Sequence, residues 1–377
     1  MDFHSRYPSL ADLRLQARRR LPRFVWDYLD SATGTEATAR TNRAALDQVR
    51  FTPSILHGEI SPDLSIELLG QSYPLPFGFA PVGMSGLIWP GAERYLAQTA
   101  ADARIPYTLS TVASLAPEDL KGDIGPHAWF QLYPPRDPEI LSDLLGRARA
   151  TGFKTLVLTV DVPAPSQRER QTRGGLTNPP QLTPRILWQI MRRPAWAIAV
   201  LRNGLPRMRT LDPYTTSNRA ALPSNAHAGY LLRTSPDWDY LARLRDAWTG
   251  PLIVKGVLNE EDAPRLERAG VDAIWISNHA GRQFDAAPAT IEVLPAIRAN
   301  TRLPLLLDGG LSSGLDILRA FSLGADFTML GRAPHDAVAA LGPAGPAHLV
   351  EILTRDLTAN MHQLGVRSYA ELSARLL

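Results

Sequence analysis

The chain has 377 residues, of which 45% are hydrophobic, and its 40 basic and 37 acidic side chains leave a net charge of +3 at pH 7. A charge this small gives no indication of nucleic-acid binding, and the absence of cysteine excludes disulfides and thiol chemistry. The N-terminus lacks the apolar core of a signal peptide, and no run of about 18 apolar residues occurs. The sequence therefore favours a cytoplasmic, globular protein with one large domain, residues 1–377.

Residues 1–75 are predicted to form a helical extension in front of the main fold. Ser9 followed by Asp12 is typical of a capping box, in which each side chain satisfies a backbone N–H at the start of a helix. Two further helices are predicted over residues 23–31 and 36–49.

From residue 76 onward, eight short apolar runs alternate with segments of helical periodicity. Most of the runs are continuously apolar, which is typical of parallel strands buried on both faces. Eight strand and helix units predict an α/β fold, a (β/α)8 TIM barrel over residues 76–332, with a doubly wound sheet as the alternative. Residues 333–377 are predicted to form C-terminal helices. The eight runs cover residues 77–81, 107–111, 128–133, 155–161, 252–256, 273–277, 305–309 and 327–331.

Nearly every run ends in polar or glycine residues, and the carboxyl ends of barrel strands meet at the rim where active sites are built. The most informative end is the stretch 274–283, in which a buried strand continues into His279 and Arg282. A histidine exchanges a proton near neutral pH, and an arginine binds a carboxylate through two hydrogen bonds. The pair predicts a base beside a clamp for an acidic substrate. A purely structural histidine is the alternative.

The interval between the fourth and fifth runs is too long for one crossover, because residues 238–248 suffice as its helix. Residues 163–235 are therefore predicted to be an insertion after strand 4, on the active-site rim. Residues 170–211 contain eight arginines and no acidic residue. A basic, tryptophan-bearing segment of this kind can lie in a membrane interface; a flap packed on its own domain or on a neighbouring subunit is the alternative. Its apolar residues include Ile186, Leu187, Trp188, Ile190, Met191, Trp196, Ile198, Val200 and Leu201.

Taken together, the strand ends resemble the FMN-dependent 2-hydroxy acid oxidising family, which includes glycolate and lactate oxidases, flavin lactate dehydrogenases and mandelate dehydrogenase. The resemblance extends over almost the whole chain, from Leu21 to Gly365. It implies an enzyme that binds FMN and oxidises an (S)-2-hydroxy acid to the 2-oxo acid. The most specific motifs are FQLY at 130–133, LTVD at 158–161, VKGV at 254–257, SNH at 277–279, RQ at 282–283 and DGG at 308–310.

The resemblance also implies roles for individual residues. His279 corresponds to the base that takes a proton from the substrate while two electrons pass to the flavin, either as hydride or through a carbanion. Asp161 corresponds to the carboxylate that stabilises the resulting imidazolium. Two arginines would hold the substrate carboxylate, and two tyrosines would hydrogen-bond to the substrate. These four residues are Arg168, Arg282, Tyr28 and Tyr133.

The implied FMN site includes a cation, Lys255, near N1 and O2 of the flavin. Other residues correspond to side chains at the isoalloxazine ring, to backbone against its other edge, and to the ribityl and phosphate region near the last two strands. No metal site is expected. The implied cofactor residues are Pro81, Val82, Gly83, Ser110, Gln131, Thr159, Lys255, Ser277, Asp308, Gly309, Gly310, Gly331 and Arg332.

Three positions bear on the cofactor, the electron acceptor and the substrate. Ser312 stands where the family usually has a phosphate-binding arginine, so we expect weaker retention of FMN. Gly83 stands where the oxidases usually have alanine, which favours a quinone or a dye over O2 as acceptor. Val112 stands where oxidases of small acids often have tryptophan, which leaves room for a larger, mandelate-like substrate.

Several alternatives remain open from the sequence. An L-lactate dehydrogenase or an O2-using oxidase would have the same site. A Schiff-base aldolase that uses Lys255 would leave His279 and the two arginines without a role. A membrane-associated binding protein with a decayed flavin site is disfavoured by the intact catalytic residues. By family resemblance we expect a homo-oligomer, a tetramer, and a peripheral position on the inner face of the cytoplasmic membrane.

Overall fold

The computed structural model describes residues 2–176, 181–215 and 234–377. The N-terminal extension begins with helices Phe3–Arg6, Leu10–Arg20, Arg23–Asp30 and Ala37–Gln48. The capping box is present, because Ser9 accepts a hydrogen bond from the N–H of Asp12 and donates its own N–H to the Asp12 carboxylate. The three helices expected beyond residue 8 are therefore formed close to their predicted bounds.

The extension also contains an antiparallel hairpin that was not predicted, formed by β1 (Ile66–Leu68) and β2 (Gln71–Tyr73). Tyr73 is buried and its ring lies 5.4 Å from that of Phe327, the first residue of the last barrel strand. The hairpin therefore closes the barrel at the end opposite the strand carboxyl termini. Describing residues 1–75 as helical was wrong for this segment, whose three-residue strands are too short to carry a hydrophobic pattern.

Eight parallel strands close into a barrel in which each strand pairs with the next along the chain and the last pairs with the first. The predicted (β/α)8 fold is confirmed. Nearly every strand residue is buried, as expected for strands covered on both faces. Seven of the strands end one or two residues before the predicted run does, because the last residues of the run leave the hydrogen-bonded ladder, whereas β7 extends one residue beyond it. The strands are β3 Phe77–Phe79, β4 Tyr107–Ser110, β5 Ala128–Leu132, β6 Thr155–Thr159, β7 Leu252–Val257, β8 Ala273–Ile276, β9 Leu305–Leu307 and β10 Phe327–Leu330.

Helices surround the barrel and complete its hydrophobic core. One helical stretch of the described chain, Arg332–Leu364, is long and apolar enough to cross a membrane. It is interrupted between Leu341 and Gly345, and 61% of its apolar window is buried inside the structure, which is the behaviour of core helices. In the described residues, the α-helices outside the N-terminal extension and the insertion are Ser85–Ile88, Ala92–Ala103, Pro138–Thr151, Trp238–Ala247, Ala263–Arg268, Thr290–Ala299, Gly314–Ser322, Arg332–Leu341 and Gly345–Leu364.

The insertion after β6, which is the fourth strand of the barrel, forms helices Glu169–Gly174, Pro184–Met191, Pro194–Asn203 and Asp212–Thr215. Residues 177–180 and 216–233 of the predicted insertion, 163–235, lie outside the described residues. On its inner face Trp196 is 4% exposed and donates its Nε1–H to the carbonyl oxygen of Leu87 at 3.1 Å. The insertion therefore packs on the barrel through part of its apolar surface.

The outer face of the insertion carries the opposite pattern. Its large apolar side chains lie in solvent beside arginines, and the guanidinium of Arg192 lies 4.6 Å from the ring centre of Trp188. Of the apolar residues named for this segment, Ile186, Trp196 and Val200 are buried, as expected for a flap packed on its own domain, because the helices are amphipathic. The exposed residues are Leu182, Leu187, Trp188, Met191, Ile198, Leu201 and Leu205.

Candidate active site

His279 and Asp161 meet at the carboxyl-terminal rim of the barrel, although they are 118 positions apart in the chain. Nδ1 of His279 lies 3.0 and 3.1 Å from the two carboxylate oxygens of Asp161. A carboxylate can only accept, so Nδ1 carries the proton and donates it, and in the neutral ring Nε2 holds the lone pair. This arrangement prepares His279 to act as a base through Nε2.

The backbone around the pair is specialised. His279 and Ala280 both have a φ of 54°, and Arg168 has a φ of 46°, a left-handed conformation that non-glycine residues seldom adopt. Such conformations cluster at functional sites. A Cβ built on Gly256 would lie 2.5 Å from Cβ of Asp161, so only glycine at this strand end leaves room for the carboxylate.

The protonation states suit proton abstraction. Burial lowers the pKa of His279 from its ordinary value, and this effect outweighs the opposing attraction of Asp161; Lys255 and Arg168 lower it further. Burial raises the pKa of Asp161, but the nearby His279 and Lys255 more than offset this, so its net shift is downward. At neutral pH the pair therefore consists of a neutral imidazole and a carboxylate.

Two predicted carboxylate-binding arginines line the same cavity as His279. Nη1 of Arg282 donates to the backbone carbonyl oxygens of Tyr28, Leu29 and Ser31 at 2.8 to 3.1 Å. Burial lowers the pKa of Arg282, and the neighbouring cations Arg168 and Arg332 lower it further. An arginine stays charged in proteins, so the guanidinium groups of Arg282, Arg168 and Arg332 repel one another. An anionic ligand bound beside them would offset this repulsion.

The two predicted substrate tyrosines also line the cavity. Tyr28 donates its hydroxyl proton to the carbonyl oxygen of Gly83 at 2.8 Å. The backbone N–H of Tyr133 donates to Thr111 Oγ1 at 3.0 Å, which fixes the residue at the end of β5. Through its hydrogen bond to Gly83, Tyr28 connects the N-terminal extension to the loop after β3. Its position in a helix did not by itself indicate this link.

A buried polar group surrounds the predicted flavin cation. Nζ of Lys255 donates to Ser277 Oγ at 2.7 Å and lies 3.3 Å from the carboxylate of Asp308. Ser277 also donates to Asp308 at 2.6 Å, and the indole N–H of Trp275 donates to the same carboxylate at 2.9 Å. Lys255 and Asp308 line the cavity, whereas Ser277 lies behind them. An ammonium group has three protons, so Lys255 keeps a donor for a ligand.

Three further predicted flavin-binding side chains form a chain of hydrogen bonds. Ser110 donates to Oε1 of Gln131 at 2.9 Å, and Nε2 of Gln131 donates to Thr159 at 2.9 Å. All three are buried at the ends of β4, β5 and β6. None of them is among the residues that line the cavity, so in this structure they support the rim from beneath.

The predicted phosphate region lies at the ends of β9 and β10, where Gly309, Gly310, Gly331 and Arg332 line the cavity. A Cβ built on Gly331 would have no neighbour closer than 4.0 Å, which leaves its backbone accessible to a ligand. Nε of Arg332 is buried without a hydrogen-bond partner in the described part of the chain. An orphaned cationic N–H beside bare backbone fits the phosphate of FMN.

Ser312 has a cation beside it after all, contributed by helix Ala37–Gln48. Nη1 of Arg43 donates to Ser312 Oγ at 3.2 Å. The same guanidinium also donates to both oxygens of Asp316 at 2.7 and 2.8 Å and to Asp47 at 2.6 Å. Because two carboxylates already neutralise Arg43, it does not simply replace the missing arginine.

One cavity of about 1200 Å³ is bordered by His279, Lys255, the two tyrosines, the predicted clamp arginines and the glycines and Arg332 of the phosphate region. Its wall combines a lysine, a histidine and four arginines with apolar side chains, and pockets for one small molecule are usually smaller than about 1000 Å³. The cavity therefore has room for a cofactor and a substrate together. A barrel rim with a His–Asp pair, a group of arginines and accessible glycine backbone has the groups that the predicted flavin-dependent oxidation of an acid requires.

Comparison with known proteins identifies the family. Residues 17–377 match the family described as FMN-dependent dehydrogenase, and the chain belongs to that family. It is an FMN-dependent 2-hydroxy acid dehydrogenase with a TIM-barrel fold, as the sequence predicted.

The relatives divide between two substrate names. The chain is 36% identical to an L-lactate dehydrogenase of Xanthobacter autotrophicus over 97% of this chain and 95% of the relative. It is 37% identical to an L-lactate dehydrogenase of Vibrio cholerae, with 96% of each chain covered. Among solved structures, the monotopic membrane protein (S)-mandelate dehydrogenase superposes with a TM-score of 0.91 at 33% identity, over 98% of both chains. A mandelate oxidase superposes with a TM-score of 0.81 at 32% identity, over 98% of both chains.

Three features of the site were missed by sequence reasoning. Gly256 makes room for Asp161, and the VKGV motif contained this glycine without indicating its role. Arg43 beside Ser312 comes from a helix distant in the chain, so no local pattern could reveal it. Asp336 lines the cavity one helical turn after Arg332, and its spacing of four residues from that arginine was the available signal.

Proposed function

We propose that the protein oxidises (S)-mandelate or a related 2-hydroxy acid with an aryl or longer side chain, and passes the electrons to a quinone-type acceptor. The observation that carries this proposal is the apolar wall of the cavity next to His279 and the arginines. Val112 contributes a small side chain there, and the inner face of the insertion contributes large ones. A phenyl ring gains from burial in such a wall, whereas the methyl group of lactate fills little of it. The apolar residues include Phe24, Leu87, Val112, Val162, Ile186, Ile190, Trp196 and Met208.

In the proposed reaction the chain's own groups bind the acid and move one proton. Arg168 and Arg282 hold the substrate carboxylate, and Tyr28 and Tyr133 orient the substrate by hydrogen bonds. Nε2 of His279 takes up the proton that the 2-hydroxy acid loses. The carboxylate of Asp161 stabilises the imidazolium that forms, because Nδ1–H already points at it.

The cofactor would be held by the predicted residues along the cavity. Bound FMN accepts the electron pair of the substrate. Lys255 would offer a positive charge that favours the electron-rich reduced flavin, and Arg332 with the backbone of Gly309, Gly310 and Gly331 would bind the phosphate. The loop of Pro81, Val82 and Gly83, which lines the same cavity, would hold the ring through its backbone. Ser110, Gln131, Thr159 and Ser277 keep these groups in position through the hydrogen bonds described above.

The electron acceptor is proposed to be a quinone reached at a membrane surface. The outer face of the insertion exposes Trp188, Met191 and Leu201 beside Arg185, Arg192 and Arg202. Apolar side chains flanked by arginines suit the headgroup region of an anionic bilayer. The similarity to a mandelate dehydrogenase described as a monotopic membrane protein supports this proposal. The inner face of the cytoplasmic membrane and a tetrameric assembly remain predictions.

L-Lactate is the second candidate substrate, and one observation favours it. The relatives named above from Xanthobacter autotrophicus and Vibrio cholerae are L-lactate dehydrogenases at 36% and 37% identity. The base, the clamp and the cofactor site would be the same for both acids. The two candidates differ only in the group that occupies the apolar wall.

One experiment separates the candidates. The absorption of the FMN-loaded protein is followed after anaerobic addition of (S)-mandelate, L-lactate or glycolate, and kcat/KM is then measured with a dye and with O2. We expect mandelate to bleach the flavin fastest and the dye to be reduced faster than O2. A kcat/KM for L-lactate above that for mandelate would reject mandelate in favour of L-lactate, a kcat/KM for glycolate above that for mandelate would reject the proposal of a larger substrate, and equal turnover with O2 and dye would reject the acceptor proposal. Val112→Trp is the matched variant, since it should lower kcat/KM for mandelate more than for glycolate.

A further inference from the structure

The cavity that contains Arg332 also reaches the N-terminal helix Leu10–Arg20. Leu10, Ala11, Arg14 and Asp336 line this part, which we term the phosphate arm because it adjoins the proposed phosphate site. Ala11 and Arg14 are exposed to solvent, so the arm reaches the surface beside this helix. The proposed reaction assigns no role to Asp336.

Two buried polar atoms in the phosphate arm have no hydrogen-bond partner within the described ranges: Nε of Arg332 and Oδ1 of Asp336. Asp336 is only 7% exposed and lines the cavity. The two residues are four positions apart on one helix and therefore lie on the same face. Buried polar atoms are normally satisfied, so the orphaned N–H of Arg332 points to an anionic ligand with acceptor oxygens. The orphaned oxygen of Asp336 can be satisfied by such a ligand only when it carries a proton.

The charges that face Asp336 come from three elements. They are Arg14 on helix Leu10–Arg20, Asp30 at the end of helix Arg23–Asp30, and Arg332 on its own helix. Arg14 is already paired with Asp30, which also binds Arg170 at 2.7 Å. Arg332 lacks a carboxylate partner among the ion pairs of the described residues, although its Nη2 reaches two backbone carbonyl oxygens at 3.3 Å. Arg332 is therefore the cation for which Asp336 and a phosphate would compete.

We propose that Asp336 determines how tightly the protein retains FMN, because its carboxylate opposes the cofactor phosphate in the phosphate arm and competes with it for Arg332. The inference rests on the proposed role of Arg332 in phosphate binding. An ionised Asp336 repels the phosphate, whereas a protonated Asp336 does not and can donate a hydrogen bond to it. Binding of the phosphate is therefore coupled to uptake of a proton by Asp336.

The sign of the pH dependence follows from this coupling. The net pKa of Asp336 is raised to about 7, and burial is the main cause. Arg14 and Arg332 act against this rise, whereas Asp30 adds to it. A bound phosphate adds a further negative charge and raises this pKa more. The affinity for FMN is then highest below the pKa of the free protein and falls as the pH rises through that range. Riboflavin lacks the phosphate and should not show this dependence.

The test uses the full-length apoprotein and measures the Kd of FMN and of riboflavin by quenching of flavin fluorescence. At about pH 6.5 and about pH 8.5 the phosphate is mostly or fully a dianion, since its second pKa is about 6. We expect the Kd of FMN to rise about tenfold between these values, and Asp336→Asn to bind FMN about tenfold more tightly than the wild type at the higher pH, with little pH dependence. Riboflavin should bind equally to both proteins.

Two further variants make the outcome decisive. Asp102→Asn removes an exposed carboxylate from another helix and should leave both Kd values unchanged. Arg332→Met should weaken FMN but not riboflavin. The inference is overturned if Asp336→Asn leaves FMN binding unchanged at the higher pH, if it changes riboflavin binding equally, or if Arg332→Met binds FMN normally. Because no hydroxy acid is present in these measurements, a wrong substrate assignment would not affect them.

Discussion

Asp161 accepts the Nδ1 proton of His279 through both of its carboxylate oxygens, at 3.0 and 3.1 Å. The carboxylate reaches this position because Gly256, at the neighbouring strand end, has no Cβ to block it. The contact fixes the ring tautomer and places a negative charge next to the ring that is proposed to become positive. Its removal should therefore affect the rate and the pH profile in different ways.

Asp161→Asn keeps the size of the side chain and removes its charge. We expect kcat/KM to fall about 100-fold or more, within the range that a general base contributes. Asp161 raises the pKa of His279 against the effect of burial, so the variant should have a still lower histidine pKa. Activity requires neutral His279 and is lost as the pH falls through that pKa. The acidic limb of the profile should therefore move to lower pH.

The control for this prediction is the same substitution in a His279→Gln background. Residues that act as a unit give strongly non-additive effects, so Asp161→Asn should add little there. An additive loss, or an acidic limb that moves to higher pH, would contradict the proposed partnership.

The two arginines of the clamp should differ in their effect on stability. Arg168→Met removes a cation whose Nε donates to Ser166 at 3.1 Å, and we expect kcat/KM for mandelate to fall about 10- to 100-fold with an unchanged Tm. Arg282→Met should lower kcat/KM similarly and also lower Tm by roughly 2 °C or more, because three backbone carbonyls lose their donor. Methyl mandelate, which lacks the carboxylate charge, is the control substrate and should lose less. Equal losses with both substrates would argue against a carboxylate clamp.

Most of the barrel could be predicted from the sequence because its strands are continuous apolar runs, and each such run contains a strand. The hairpin at Ile66–Tyr73 was not predicted, since neither of its strands is long enough to show periodicity. The composition of the insertion was compatible with one face packed on the barrel and one face in solvent. The sequence did not show which of its two tryptophans lies on which face. Burial of Trp196 and exposure of Trp188 depend on how the helices pack.

The candidate site was predictable to the extent that strand ends converge on one rim. His279, Lys255, Arg282 and Arg332 all line one cavity. The hydrogen bonds that join Ser110, Gln131 and Thr159 to one another depend on the distances between neighbouring strands, which a sequence does not give. The same limit applies to Asp336, because its lack of a partner is visible only once the surrounding helices are packed.

Gly83 provides a test of the crowding between the loop after β3 and the loop after β4. A Cβ built on Gly83 would lie 2.7 Å from Cγ2 of Val112 and 3.7 Å from the hydroxyl of Tyr28. Gly83→Ala should therefore displace this loop and lower kcat/KM for dye reduction about tenfold, within the cost of overpacking. Val112→Ala removes the clashing methyl groups, so the double variant should regain most of the loss. A double variant no better than Gly83→Ala would show that the clash is not the cause.

Trp188 and Trp196 provide a matched pair for the membrane proposal, since the same substitution is made on opposite faces of the insertion. Trp188 is 54% exposed and Trp196 is 4% exposed. Trp188→Ala should lower partitioning onto anionic lipid vesicles about tenfold, by the loss of one large apolar side chain, and leave Tm unchanged. Trp196→Ala should instead destabilise the fold by about 3 kcal/mol or more, because it opens a cavity and removes the donor to Leu87.

Sedimentation with vesicles that contain phosphatidylglycerol, at low and at high salt, measures the partitioning. Attraction between Arg185, Arg192 and Arg202 and the lipid headgroups should weaken at high salt, because screening acts on exposed charges. Acrylamide quenching of the Trp188 fluorescence, with Trp188→Ala as the reference, then identifies what covers the outer face. Protection that appears only with vesicles supports a membrane surface. Protection of Trp188 from acrylamide in free solution, together with unchanged vesicle binding by Trp188→Ala, would instead mean that a second copy of the chain covers Trp188. A contact between subunits needs no lipid, so this protection would not depend on the vesicle concentration.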